Sequence, residues 1–302
     1  MQTPWGDLEV TDAHVHFFSP NFFLSLASQC QKTPDDLETI LGWQFPLQPE
    51  DLARTWVREL DRHGISRAAL IASVPGDEHS VTAAVKLFPR RFHGYFMVDP
   101  TTCDAADHVH RALGSGLRGV CLFPSMHRYS IQDDRLKPIF EMASRHPGTV
   151  VFVHCGVLTV GVRKKLGLPS FFDMRFSNPI DLHAVAMRYP RANFVVPHFG
   201  AGYFREVLML CDLCPNVYLD TSSSNSWVKY YPAALDLTRV FRRALDVAGP
   251  RRLLFGSDSS YFPRGWHAPV FECQAAVLQE IGISAEDAKA IFGGNAERIL
   301  AG

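Results

Sequence analysis

The sequence predicts an α/β protein, a closed (β/α)8 TIM barrel in a single domain over residues 1–302, with insertions after the first and fifth strands. Three observations predict it. Eight short β-branched runs end in turn residues: LEVTDAHVHFFS, RAALIASVPG, FHGYFMVDPT, LRGVCLFPS, TVVFVHCG, NFVVPHFG, NVYLDTSS and RLLFGSDSS. Segments with helical spacing lie between them, and a strand-helix alternation requires parallel strands, because a parallel strand needs a crossover to return. Runs such as TVVFV and NFVV are apolar without alternation, as strands covered by helices on both faces are. The rival, an open doubly wound sheet, lacks its Gly-rich turn, since FSPNFF follows the first strand.

In chain order, the first strand carries DAHVHF and is followed by a long connection over residues 19–49. PEDLARTWVRELDRHGI then reads as the first crossover helix, with acidic residues at its start and Gly after its end. DDRLKPIFEMASRH crosses from the fourth strand to the fifth, and NPIDLHAVAMRYP from the fifth to the sixth. Ahead of the latter, residues 156–178 form the second insertion. Both long connections leave strand carboxyl ends, so they belong at the mouth, where barrel enzymes keep substrate loops, and both are candidate lids. AALDLTRVFRRALDVAG leads to the eighth strand, and SAEDAKAIFGGNAERILAG closes the chain as two short helices.

The 302 residues are 47% hydrophobic and 20% charged, enough apolar mass for a large core, which excludes disorder, collagen and a small disulfide scaffold. Thirty basic and 31 acidic residues leave a formal charge of -1, so no nucleic-acid or anionic membrane partner is expected. MQTPWGDLEV lacks a basic segment followed by an apolar run, and no apolar stretch reaches membrane length, so a cytoplasmic location is expected. Seven dispersed cysteines, Cys30 to Cys273, fit a reducing compartment. Cys211 and Cys214 share a helix face with no second pair nearby and read as packed thiols.

His14 and His16 are two apart on a strand, so both imidazoles face the barrel interior. His154 ends the fifth strand, His198 the sixth and Asp258 the eighth. In a closed barrel the first strand lies beside the eighth and opposite the fifth, so His14, His16, His154 and Asp258 converge on the axis. Four nitrogen and oxygen donors suit one divalent metal ion, Zn2+ foremost, with Mn2+, Fe2+ or Co2+ as alternatives. The bland reading, buried polar residues satisfying one another, would have to hold at each strand end at once.

These motifs resemble the amidohydrolase superfamily, and within it the branch that groups amidohydrolase-type hydrolases with aminocarboxymuconate semialdehyde decarboxylase. The resemblance covers nearly the whole chain: DAHVHF, GLRGVCLFP, HCG, PRANFVVPHFGAG, NVYLDTSS, FGSDSS and GGNAERIL follow one another in order. It implies that His14, His16, His154 and Asp258 ligate one catalytic metal and that His198 sits beside the reacting water as acid or base, or as a further ligand. Where binuclear relatives end the fourth strand with a carboxylated Lys, this chain has Cys121 or Phe123, which argues against a second metal.

Further candidates lie around this centre. Arg264 follows the strand carrying Asp258 and could clamp a substrate carboxylate, or brace its loop. Tyr261 and Trp266, with Phe17, Phe18, Phe22 and Phe23, could line an aromatic pocket. Arg163, Lys164 and Lys165 form a basic cluster that reads first as solvated surface. Asp12, Asp99, His127 and Asp220 could support the ligands. The function expected is a mononuclear metal-dependent hydrolase, with Asp258 and His198 catalytic, cleaving an amide, lactone or ester of a small organic acid. The alternative is a nonoxidative decarboxylase of an aromatic or muconate-type acid. A barrel that binds without turnover is the reading from another class. The partner expected is a carboxylate-bearing small molecule, and a homodimer is expected on base rate alone.

Overall fold

The computed structural model describes residues 1–232 and 234–301. Eight strands form one parallel sheet in sequential order: β1 (Thr11–Phe17), β2 (Arg67–Ala72), β3 (Phe92–Val98), β4 (Gly119–Leu122), β5 (Val150–Val153), β6 (Asn193–Val196), β7 (Val217–Asp220) and β8 (Leu253–Leu254). The barrel closes between β1 and the segment after β8. There Ala13 N–H donates to Phe255 O (2.9 Å), Asp258 N–H to His14 O (3.0 Å) and His16 N–H to Ser259 O (2.7 Å). Sequential parallel neighbours require a helix or turn over every connection, which the chain supplies.

The period of 2 along the strands divides the core. Ala69 and Ile71 of β2 point inward with Tyr95, Met97, Cys121, Phe152, Val195 and Tyr218, while Ala68, Leu70 and Ala72 face the helix ring. Helix Pro49–His63 places Leu52, Ala53, Trp56 and Leu60 on one face against that ring, an i, i+4, i+8 pattern. The helical segments over residues 133–146 and 178–190 each begin as 3-10 turns, Asp134–Leu136 and Pro179–Leu182, before the α-helices Lys137–Arg145 and His183–Arg188. β8 holds only two residues of regular ladder; beyond it the run pairs irregularly with β1 through Phe255, Asp258 and Ser259, with Asp258 at a φ of 59°. The eighth run therefore serves more as a bent loop anchor than as a strand.

Ala296, Ile299 and Leu300 of the terminal helix Asn295–Ala301 plug the amino-terminal end of the barrel. Glu297 latches that plug: it accepts from Thr11 Oγ1 at 2.8 Å and pairs with Arg67 and with His93 at 3.1 Å. The opposite end stays open. The connection after β1 contributes helices Pro20–Cys30 and Pro34–Leu41, and the one after β5 contributes Gly161–Lys165; a cavity of about 850 Å³ lies between Pro20–Cys30, Gly161–Lys165 and the strand ends. No helix among the described residues is long and apolar enough to cross a membrane.

Candidate metal centre

At the floor of this cavity His14 Nε2 lies 3.4 Å from His16 Nε2, and Asp258 Oδ1 lies 3.7 Å from the first and 3.4 Å from the second. All three ligand atoms fall within 4.8 Å of one another. His154 faces the same cavity but stands outside that close group; its ring lies 5.4 Å from His198, whose own ring is 5.1 Å from His14.

The tethers of these rings decide which nitrogens are free. His14 Nδ1 meets Asp220 Oδ2 at 2.6 Å, and His16 Nδ1 meets Ser73 Oγ at 2.8 Å. Since the Ser73 hydroxyl donates to Ile71 O at 3.1 Å, it accepts from His16, which leaves the Nε2 lone pair of that ring facing Asp258. Ser222 Oγ lies 3.0 Å from His14 Nδ1 and 2.9 Å from His198 Nδ1, joining the two rings from behind. His154 Nδ1 is buried with no hydrogen-bond partner, an unsatisfied ring nitrogen that would bind a cation when it carries the lone pair.

Electrostatics agree with that donor set. Burial lowers the pKa of His16, His154 and His198, keeping their rings neutral and their lone pairs available. Burial works against the ionised Asp258, but the His16 ring beside it, with the neighbouring His14 and His198, outweighs that cost and holds the carboxyl below the usual carboxylate range. His14 is raised to about 8: burial opposes protonation, and Asp220 more than offsets it. A cation competes with that proton for Nε2. The donors present thus fit one divalent ion, with His14, His16 and Asp258 grouped and His154 as the fourth candidate.

A second ion finds no support at the end of β4. Phe123 stacks on His154 with centroids 5.6 Å apart, and burial pushes the Cys121 thiol well above its ordinary value. Two backbone features shape the centre. His198 (φ 55°) and Asp258 (φ 59°) both adopt left-handed conformations, uncommon for residues with a side chain, and both lie on the cavity. Gly256 makes room for the cluster, since a Cβ there would lie 2.8 Å from His14 Cβ and 2.9 Å from Asp220 Oδ1.

Arg264 and Tyr261 line the cavity, as do Phe18 and Phe22, whereas Phe17 and Phe23 are buried in the core. Trp266 does not belong with them. Its indole is 2% exposed and donates to Asp12 Oδ2 at 2.8 Å, and its amide donates to Glu59 at 3.0 Å. The loop reverses at Gly265 (φ +67°), which sends Trp266 beneath the strand ends to serve a buried carboxylate. Asp12, raised by burial to about 6, gathers that indole, the Ser257 hydroxyl and the amides of His14 and Ser257. Asp99 only forms a turn with Thr101, and His127 stacks on Tyr129 away from the cavity lining. Ser73 and Ser222 escape sequence reasoning, because nothing distinguishes a hydroxyl that orients an imidazole from one that caps a turn.

Residues 11–301 match the family model for amidohydrolases. The chain belongs to the amidohydrolase family. Among curated relatives, Protein fluG of Emericella nidulans is 32% identical over 87 residues, 29% of this chain; the match spans 10% of that protein. Among solved structures, an uncharacterised TIM-barrel protein from Bordetella bronchiseptica superposes with a TM-score of 0.67 at 21% identity, covering 97% of this chain and 99% of the other. A candidate 2-pyrone-4,6-dicarboxylic acid hydrolase from Pseudomonas putida gives 0.60 at 19% identity, covering 98% of each chain. At these identities the structural likenesses establish the barrel fold.

Proposed function

We propose that this amidohydrolase is a mononuclear metal-dependent hydrolase that cleaves an ester, lactone or amide of a small carboxylate-bearing acid. The observation that carries the reading is the donor set: two imidazoles tethered through Nδ1 with Nε2 at the centre, an ionised Asp258 and the unpartnered His154 Nδ1. A divalent ion, Zn2+ in first place, would supply a water of lowered pKa and polarise the carbonyl to be attacked.

The chain's own residues supply the rest. Asp258, held as the carboxylate, accepts the proton of the attacking water at the oxygen not engaged with His16. His198 is a neutral imidazole anchored at Nδ1 by Ser222, so its Nε2 is free to orient the water, or to relay to the leaving group the proton that Asp258 takes from that water. Arg264 donates to Asp258 O at 3.2 Å and to Ser260 Oγ at 2.9 Å through one nitrogen, leaving its other N–H groups for a substrate carboxylate.

A panel of lactones and aryl esters, run beside aromatic and unsaturated acids, tests the reaction type. Bond or ring opening without carbon dioxide release supports the hydrolase. Carbon dioxide release from the acids overturns it in favour of a decarboxylase on the same centre. Metal analysis of the protein purified without chelators, repeated on His154→Ala, tests the ligand set.

A further inference from the structure

Beyond the metal centre, the outer cavity carries an unbalanced charge. Arg128, Arg163, Lys165, Lys229 and Arg264 line it, and Asp258 is the single carboxylate among the described lining residues. Asp258 lies at the metal centre beside His16, so no other carboxylate among the described lining residues balances the five cations. Four of them have local partners, Arg264 through one nitrogen to Asp258 O and Ser260 Oγ. Arg128 donates to Phe171 O at 2.8 Å, Arg163 to Pro169 O at 2.6 Å, and Lys229 lies over the ring of Tyr230 at 5.2 Å.

Lys165 and Arg264 converge on one feature. The rings of Trp43 and Tyr261 stack 3.9 Å apart at an interplanar angle of 11°. Lys165 Nζ lies 5.4 Å from the Trp43 centroid and 5.8 Å from that of Tyr261, and the Arg264 guanidinium lies 4.7 Å over Tyr261. The four residues come from the connections after β1, β5 and β8. The ring faces attract each cation, but two positive charges on one aromatic pair still repel each other. An anion shared between them turns that repulsion into two attractions.

A row of rings joins this pair to the metal centre. Phe18 lies 5.7 Å from His16 on one side and 6.1 Å from Trp43 on the other, at 20° to it. A flat apolar body has a wall to lie against between the two. We propose that Lys165 and Arg264, mounted on the Trp43–Tyr261 stack, bind a substrate carboxylate remote from the reacting bond, with Lys165 the specificity-determining residue. This rests on the hydrolase reading only in taking the metal centre as the place of reaction.

The test measures binding by calorimetry on the zinc-loaded protein with two probe pairs: benzoate against terephthalate, and biphenyl-4-carboxylate against biphenyl-4,4′-dicarboxylate. In each pair one carboxylate can reach the metal and the diacid offers a second. The expected result is a diacid bound about tenfold or more tighter in at least one pair. Lys165→Met should abolish that preference with metal content and monoacid affinity unchanged, since the side chain is exposed and outside the core. No preference in the unsubstituted protein, or one that survives Lys165→Met, overturns the proposal. Ester and lactone hydrolysis is assayed in parallel. Diacid preference without hydrolysis leaves the subsite standing and removes the hydrolase reading; hydrolysis without preference does the reverse.

Discussion

Asp258 concentrates more roles than any other residue: it pairs with both histidines of β1, stays ionised despite burial, and holds a left-handed backbone. Asp258→Asn keeps the side-chain volume and removes the negative ligand and proton acceptor that the hydrolase reading assigns to it, so under that reading kcat/KM should fall about 10²–10⁴-fold, with metal content falling too. Steady-state kinetics and metal analysis on the same preparation check this. Ser222 and Asp220 act through His14. Asp220→Asn takes the charge from the 2.6 Å contact that fixes the His14 tautomer, so metal affinity should fall about 10–100-fold, read by chelator competition, while far-UV circular dichroism stays unchanged. Trp266 tests a different role. Trp266→Phe deprives the buried Asp12 of a donor, which should cost about 1–3 kcal/mol of stability and leave KM unaltered. A raised KM with unaltered stability would return Trp266 to the cavity wall.

At the scale of elements, the ends of β5 and β6 are locked against each other. Gly156 follows His154 with φ +78°, and a Cβ there would lie 2.2 Å from Gly200 O and 2.4 Å from Ala201 O, just past His198. Gly156→Ala should destabilise the protein by at least about 1–3 kcal/mol and shift His154 relative to His198; chemical denaturation and metal affinity report the two effects. His14 and His16 were legible because a strand period of 2 leaves no choice of face. The end of the eighth run was less legible. RLLFGSDSS reads as one strand, yet its regular ladder covers only Leu253–Leu254, and past Phe255 it pairs irregularly with β1 around the left-handed turn at Asp258. Arg163, Lys164 and Lys165 read as solvated surface, and Lys164 and Lys165 are exposed, but the short helix Gly161–Lys165 also places Arg163 and Lys165 on the cavity. Which residues of a loop face inward depends on what the loop meets, and Lys165 meets Trp43 from a connection more than a hundred residues earlier in the chain.

For the whole molecule, the plug at the amino-terminal end sets a pH dependence independent of the centre. Glu297 loses some ease of ionisation to burial, but the bond and charge of His93, the Thr11 hydroxyl and Arg67 lower its pKa to about 2 from 4.5. A carboxyl depressed on folding contributes stability in full above its unfolded value, and that contribution disappears as pH falls from about 4.5 through about 2. Glu297→Gln should therefore be less stable than the parent at pH 7, and the difference should shrink across that acid window; urea denaturation from pH 7 to pH 2 measures it. The sequence by itself determined the barrel, the strand ends that carry the donors and the family, because hydrophobic period, turn residues and ordered motifs are local properties. Tertiary structure alone decided that Ser73 and Ser222 orient the imidazoles, that Trp266 serves Asp12 rather than the cavity, and that two cations share one aromatic stack. Each of these depends on distance between segments far apart in the chain, which closure of the barrel brings together and no local pattern encodes.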